Sequence, residues 1–241
     1  MAPSPPPPSH IVRTLLTLAA ILPGLFAGLA VQWVTGDRRR GVNRAIDVWG
    51  RWGIRAAGIR LEIEHPQRLD ASRPAVFTLN HRSGVDPIIA CALLRRDLFA
   101  VAKQELRRNP LLGPAFAFAG VVFVNRGEPA QAQRAVEPAV EAIRSGLSLV
   151  ITPEGTRRAG AVLEPFKKGA FRIAMAAGVP VVPIAIANAD DVLPLGGWLM
   201  RPATVRVSVL EPVPTTHWTL DTLDDEIEQI HQALEARLLA L

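Results

Sequence analysis

Residues 75–96 read AVFTLNHRSGVDPIIACALLRR. Ala75–Leu79 is a short apolar run rich in β-formers, and Pro87–Arg96 has the composition of an apolar helix. Between them lies a polar turn holding Asn80, His81, Ser83, Gly84 and Asp86. A strand that ends in polar residues and feeds a helix is the repeating unit of an α/β domain, and chemistry in such domains sits where the strands end.

Working outward, the same grammar recurs. Apolar runs of β character fall at Arg60–Glu64, Ala75–Leu79, Leu98–Ala102, Val121–Val124, Leu147–Thr152, Val181–Ala187 and Val205–Leu210. Helical stretches are predicted at Pro87–Arg96, Glu105–Ala119, Ala130–Arg144, Lys168–Ala177 and Leu220–Leu239. Most strand runs are unbroken rather than alternating, so both faces of the sheet are covered. The predicted fold is α/β, with a central, mostly buried sheet of about seven strands flanked by helices.

The N-terminal quarter differs. Residues 1–10, MAPSPPPPSH, form a proline-rich leader that cannot pack. Ile11–Val34 is apolar, long enough to reach across a ~30 Å bilayer core, and interrupted by Pro23-Gly24, which predicts a kink or a re-entrant hairpin. It closes on Trp33 and Arg38-Arg39-Arg40, an interfacial aromatic followed by a basic cluster. That order predicts membrane association with the rest of the chain on the cytoplasmic side. A buried helix and a cleaved signal peptide are the alternatives; the long leader and the arginines directly after the run argue against cleavage. Residues 42–58 carry Ile46, Trp49, Trp52 and Ile54 among Arg44, Arg51 and Arg55, the pattern of an amphipathic helix lying on a membrane or on the domain. The predicted organisation is a leader (1–10), a membrane-anchoring or interfacial helical segment (11–58), and an α/β domain (59–241).

Composition narrows the partners. A formal net charge of +5 suits an anionic surface, and the absence of tyrosine and of any basic stripe interleaved with aromatics disfavours nucleic acid. The single cysteine, Cys91, lies in apolar sequence and reads as core; alone it excludes internal disulfides and multi-cysteine metal motifs, and no metal site is expected. Only three lysines occur, Lys103, Lys167 and Lys168, against 24 arginines.

His81 and Asp86 point apart on a continuous helix but can meet across a glycine turn. Asp86 can then orient one ring nitrogen of His81 and leave the other to accept a proton from a hydroxyl. Asp86 before Pro87 also reads as a helix N-cap, and the two roles are compatible. The spacing alone is unspecific. A second turn follows the run Leu147–Thr152: Pro153-Glu154-Gly155-Thr156-Arg157, whose glycine, hydroxyl, arginine and backbone N–H groups suit a phosphate. Lys167 and Lys168 open a predicted helix, an unfavourable place for cations that implies an anion nearby. Arg126, after Val121–Val124, is a further candidate cation.

Asn80–Asp86 resembles the NHxxxxD motif of the glycerolipid acyltransferase family, which includes the lysophosphatidic acid acyltransferases. Val124-Asn125-Arg126-Gly127 resembles its second motif, Pro153–Arg157 its third, and Val179–Ile184 its fourth; Phe166–Gly169 matches a recurrent element between the last two. The matches occur in family order over residues 75–184. Thr152, Arg158 and Asn125 depart from the usual phenylalanine, serine and aspartate. The resemblance implies transfer of a fatty acyl group from acyl-CoA or acyl-carrier protein to a lysophospholipid hydroxyl, most simply 1-acylglycerol-3-phosphate, with no cofactor beyond that co-substrate. It implies His81 as general base, Asp86 as its orienting carboxylate, and Arg126, Glu154, Gly155, Thr156 and Arg157 at the acceptor head group, with Lys168 and Lys103 as additions. Lyso-ornithine lipid, lysocardiolipin or a non-catalytic lipid-binding role are the alternatives.

Overall fold

The computed structural model describes residues 7–124, 136–157 and 163–241. Seven strands form one sheet: β1 (Ile59–Glu64), β2 (Val76–Leu79), β3 (Leu98–Lys103), β4 (Val122–Val124), β5 (Ser148–Ile151), β6 (Val181–Ala187) and β7 (Ala203–Val209). Their order is β1-β7-β6-β2-β5-β3-β4. β2 is parallel to β5 and β6, β3 is parallel to β4 and β5, and β7 runs antiparallel to β6. The mixed, helix-flanked sheet is the α/β fold expected, and all seven expected strands are present. β2 is buried along its whole length, as its unbroken apolar sequence requires.

Among the described residues the helices are α1 (Pro8–Ala19), α2 (Ile21–Thr35), α3 (Arg38–Ala57), α4 (Arg68–Ala71), α5 (Asp86–Leu94), α6 (Leu112–Phe118), α7 (Val136–Arg144), α8 (Gly169–Ala177), α9 (Ala189–Val192) and α10 (Leu223–Ala240). The helix expected over Glu105–Ala119 is divided into a 3₁₀ turn, Gln104–Arg108, and α6. Asn109 precedes Pro110 and takes the extended conformation that proline imposes on its neighbour. Its Oδ1 then accepts the N–H groups of Leu111 at 3.0 Å and Leu112 at 2.9 Å, which starts α6. The expected helix Ala130–Arg144 is described from Val136 onward; its beginning lies outside the described residues.

The chain forms two compact units. One comprises Met1–Glu62, Arg82–Arg96 and Asn188–Val205; the other comprises Ile63–His81, Asp97–Ala187 and Arg206–Leu241. In the second, Val76, Leu149 and Val181 of the sheet pack with Phe171 and Ala174 of α8, Ile143 of α7 and Ile227 of α10.

In the first unit, α2 and α3 form an antiparallel hairpin. Gly36, in the left-handed region, ends α2, and Asp37 caps α3 by accepting the Arg40 N–H at 3.1 Å. Small residues bring the helices together: Cβ atoms on Gly24 and Gly41 would meet the carbonyls of Ala45 and Gly28 at 2.9 and 2.7 Å. Farther back, Arg13 of α1 donates to the Ala56 carbonyl at 3.3 Å. The pairs 13 with 56, 24 with 45 and 28 with 41 run in one antiparallel series, so α1 and α2 form a single rod along α3. The rod breaks at Ala20, because Pro23 has no N–H for the Ala19 carbonyl. Of the two outcomes expected at Pro23-Gly24, the hairpin is not formed there: the chain reverses at Gly36-Asp37. On its other side α3 packs on α5, where Cβ atoms on Gly50 and Gly53 would come within 2.6 Å of the Ala92 nitrogen and 2.5 Å of Ile88 Cγ2.

Candidate active site

β2 and β5 are adjacent and parallel, with Thr78 opposite Ile151. The segments leaving their carboxyl ends, Asn80-His81 and Thr152–Glu154, therefore emerge side by side. Asn80 ties the first to the sheet: its amide donates to the Ile186 carbonyl at 2.8 Å and accepts the Ile186 N–H at 2.7 Å. This asparagine is buried, and its two-point bond to β6 holds the backbone just before His81.

Glu154 joins the two segments. One carboxylate oxygen accepts the His81 backbone N–H at 2.7 Å, and the other accepts the Glu164 N–H at 3.1 Å. The residue is 3% exposed. Bonds from a carboxylate to N–H groups are among the stronger hydrogen bonds, and burial intensifies them. Glu154 was expected at the acceptor head group; these two bonds place its carboxylate on the protein backbone.

Asp86 is also buried. Its Oδ2 accepts the N–H groups of Arg82 and Ser83, both at 3.0 Å, and Ser83 Oγ donates to the Leu193 carbonyl at 2.8 Å. The N-cap expected at Asp86 is not formed: Val85 occupies the cap position, and the carboxylate folds back onto the turn instead of onto the first helical N–H groups. The turn after His81 is thus closed by its own aspartate.

Gly155 has φ +76°, and a Cβ there would meet Lys167 Nζ at 2.8 Å. The Lys167 ammonium lies over the Glu154–Gly155 backbone, and its own N–H donates to the Pro153 carbonyl at 3.0 Å. Thr156 and Arg157 are exposed beyond this turn. Lys103 is exposed at the carboxyl end of β3. Lys168 pairs with Asp224 of α10 at 2.6 Å, so the anion beside this helix start is one of the chain's own carboxylates. Arg126 lies outside the described residues. Sequence reasoning placed Asn80, Ser83 and Lys167 within the motifs but gave none of the three a role at the site. The scarcity of lysine was the signal for Lys167; no sequence signal distinguishes Ser83 from other turn serines. Among the described residues no cluster of histidine, cysteine or carboxylate side chains suits a metal ion. Cys91 has its thiol pushed up to about 12 by desolvation, which keeps it un-ionised and unreactive at neutral pH.

The NHxxxxD turn is thus fastened to the PEGT turn at the carboxyl ends of neighbouring parallel strands. The chain belongs to the acyltransferase family, whose model, described as Acyltransferase, matches residues 60–187. It is similar to the 1-acyl-sn-glycerol-3-phosphate acyltransferase of Limnanthes alba, 31% identical over 218 residues that cover 90% of this chain and 76% of the relative. It is also similar to the enzyme of the same name from Haemophilus influenzae, 27% identical over 185 residues and 76% of each chain. The crystal structure of PlsC, the 1-acyl-sn-glycerophosphate (LPA) acyltransferase of Thermotoga maritima, has the same fold: TM-score 0.77, 22% identity, 96% of this chain and 98% of that one.

Proposed function

We propose that this enzyme acylates 1-acyl-sn-glycerol-3-phosphate to phosphatidic acid, with acyl-CoA or acyl-carrier protein as donor and no further cofactor. The observation that carries this reading is the Glu154–His81 bond, which makes one site of the two motif turns. A ring nitrogen of His81 removes the proton from the acceptor hydroxyl, and Asp86 orients the imidazole. The hydroxyl oxygen bonds to the thioester carbonyl carbon, the carbon–sulfur bond breaks, and the thiol leaves with the proton that His81 held. Arg126, Thr156, Arg157 and the Gly155 backbone hold the acceptor phosphate, with Lys167 overhead.

The enzyme works at the cytoplasmic face of a membrane. The rod Pro8–Thr35 is long and apolar enough to cross one, but α3 lies along it and carries Arg44, Arg51 and Arg55, with Arg44, Arg51 and Arg95 ion-paired to Asp47. Dragging these groups through hydrocarbon costs ~2.5–3.5 kcal/mol for each charge. The rod therefore lies in the interface, with Val12, Leu15, Leu16, Leu22 and Phe26 turned outward. Arg38–Arg40 at its end suit the anionic cytoplasmic leaflet.

The test is an assay of purified protein in detergent with acyl-CoA and acyl-carrier protein against a panel of lysolipids. The lysolipid bearing a phosphomonoester should be preferred. His81→Ala should lower turnover by ~10²–10⁴-fold with the circular dichroism unchanged. Near-normal turnover in that variant would remove His81 from the chemistry.

A further inference from the structure

The loop that follows α9 exposes two large apolar side chains. Leu195 is 46% exposed and Trp198 is 63% exposed. Its tip is a tight turn: the Gly197 N–H donates to the Pro194 carbonyl at 2.9 Å, and Gly196 has φ +76°, the left-handed value required at the third position of a type II turn. Its base is closed by the Arg201 N–H on the Val192 carbonyl at 2.8 Å. Two further bonds fix where the tip stands. The carbonyl of Leu193 accepts Ser83 Oγ at 2.8 Å, and the Met200 N–H donates to Thr14 Oγ1 of α1 at 2.9 Å. Ser83, Leu193, Met200 and Thr14 all belong to the first compact unit. One shoulder of the loop is thus fastened to the turn two residues beyond His81, and the other to the amino-terminal end of the apolar rod.

We propose that the Leu195–Trp198 tip is a second membrane-contacting element, which with α1 and α2 seats the Ser83 turn at the lipid surface. The proposal rests on the interfacial reading of α1 and α2. The occupant is a bilayer for three reasons. The Met200–Thr14 bond sets the loop against α1, which itself exposes Val12, Leu15 and Leu16. Tryptophan favours the level of the lipid head groups, where its ring is buried and its N–H stays wet. Arg201 is exposed three residues after Trp198, and Arg38–Arg40 are exposed at the opposite end of the rod, so the apolar surface carries basic flanks suited to anionic lipid. Trp33, also exposed, stands at that opposite end, and the rod is held at both ends by an indole. The loop then sets the height of the Ser83 turn at the lipid surface.

The experiment labels the full-length protein with an environment-sensitive fluorophore at Leu195→Cys, and separately at Leu15→Cys. The unreactive Cys91 provides the blank in the unsubstituted chain. Labelled protein is bound to vesicles of phosphatidylcholine and phosphatidylglycerol, with or without acyl chains brominated near the head group, and iodide serves as the aqueous quencher. The proposal requires both labels to be quenched by the brominated lipid and protected from iodide. Should the label at 15 behave so while that at 195 is reached only by iodide, the tip is in water; the proposal fails and the rod's membrane contact stands. A label at 195 that is protected from iodide and untouched by brominated lipid would show a second copy of the chain covering the tip, and would also overturn it. If neither label senses the lipid, the interfacial reading falls and takes this inference with it. Trp198→Cys is the alternative position if Leu195→Cys does not fold.

Discussion

Glu154 illustrates how one side chain decides between two roles. A residue of a head-group site raises the acceptor KM when removed, whereas one that holds the His81 backbone lowers kcat. Glu154→Gln keeps the shape but leaves one carbonyl oxygen for two N–H donors, with an NH₂ group set against the other. We expect a stability loss of about 1–3 kcal/mol and a kcat lowered about tenfold or more through misplaced His81, with acceptor KM little changed. A raised KM at normal kcat would return Glu154 to the head-group site. Arg157 is exposed, so its bond to a phosphate forms in a wet site. Arg157→Ala should weaken acceptor binding by about 1–2 kcal/mol, seen as acceptor KM, while donor KM holds. The reverse pattern would assign Arg157 to the donor. Cys91 provides a pH test. Burial pushes its folded-state thiol up from the ordinary 9.0 to about 12, so the native chain releases this proton later than the unfolded one. The stability it contributes is complete below about pH 9 and is lost as pH rises toward 12. Native protein at pH 8 should therefore resist thiol reagents, and denatured protein should react at once.

At the scale of elements, close helix packing rests on positions that only hydrogen can occupy. α3 approaches α5 through Gly50 and Gly53 and α2 through Gly41. Gly50→Val would drive a Cβ within 2.6 Å of the α5 backbone, with no flexible side chain there to yield. The expected cost is about 1–3 kcal/mol or more, read as a lowered urea midpoint. An unchanged midpoint would mean that the α3–α5 contact is not formed in solution. Sequence reading saw the amphipathic character of α3 but not this use of its glycines, because hydropathy gives glycine no side-chain signal. The division at Asn109-Pro110, which the helix expected over Glu105–Ala119 ran through, follows from a local rule: proline restricts its neighbour whatever the tertiary context.

At the scale of the molecule, the N-terminal helices have one face in the protein and another outside it. Thr14, Thr17, Ile21, Gly24 and Gly28 are buried, while Leu15, Leu16, Leu22 and Phe26 are exposed. Deleting the segment would strip α3 of its partner and uncover the close contacts at Gly41, Ala45 and Trp49. A sharper variant replaces Leu15, Leu16 and Phe26 with serine, keeping the inner face. That protein should leave the membrane fraction on ultracentrifugation while its far-ultraviolet circular dichroism is retained. If it stays in the membrane fraction, attachment does not run through the outer face of the rod.

Periodicity and local chemistry determined the seven strands, the sheet's burial and the order of the motifs, because each follows from neighbours along the chain. Asn80, His81 and Glu154 could be named from sequence for the same reason. The partner of each could not. That Glu154 binds the His81 backbone depends on β5 lying beside β2, a pairing of segments some seventy residues apart. That Lys168 meets Asp224 while Lys167 covers Gly155 depends on how α8 and α10 pack. Residues 82–96 and 188–205 join the N-terminal helices in one compact unit although more than ninety residues separate them. Hydropathy reports which side chains leave water. Only the packed chain decides which backbone groups lie within 3 Å of a given carboxylate, because that distance is set by strand order and helix packing.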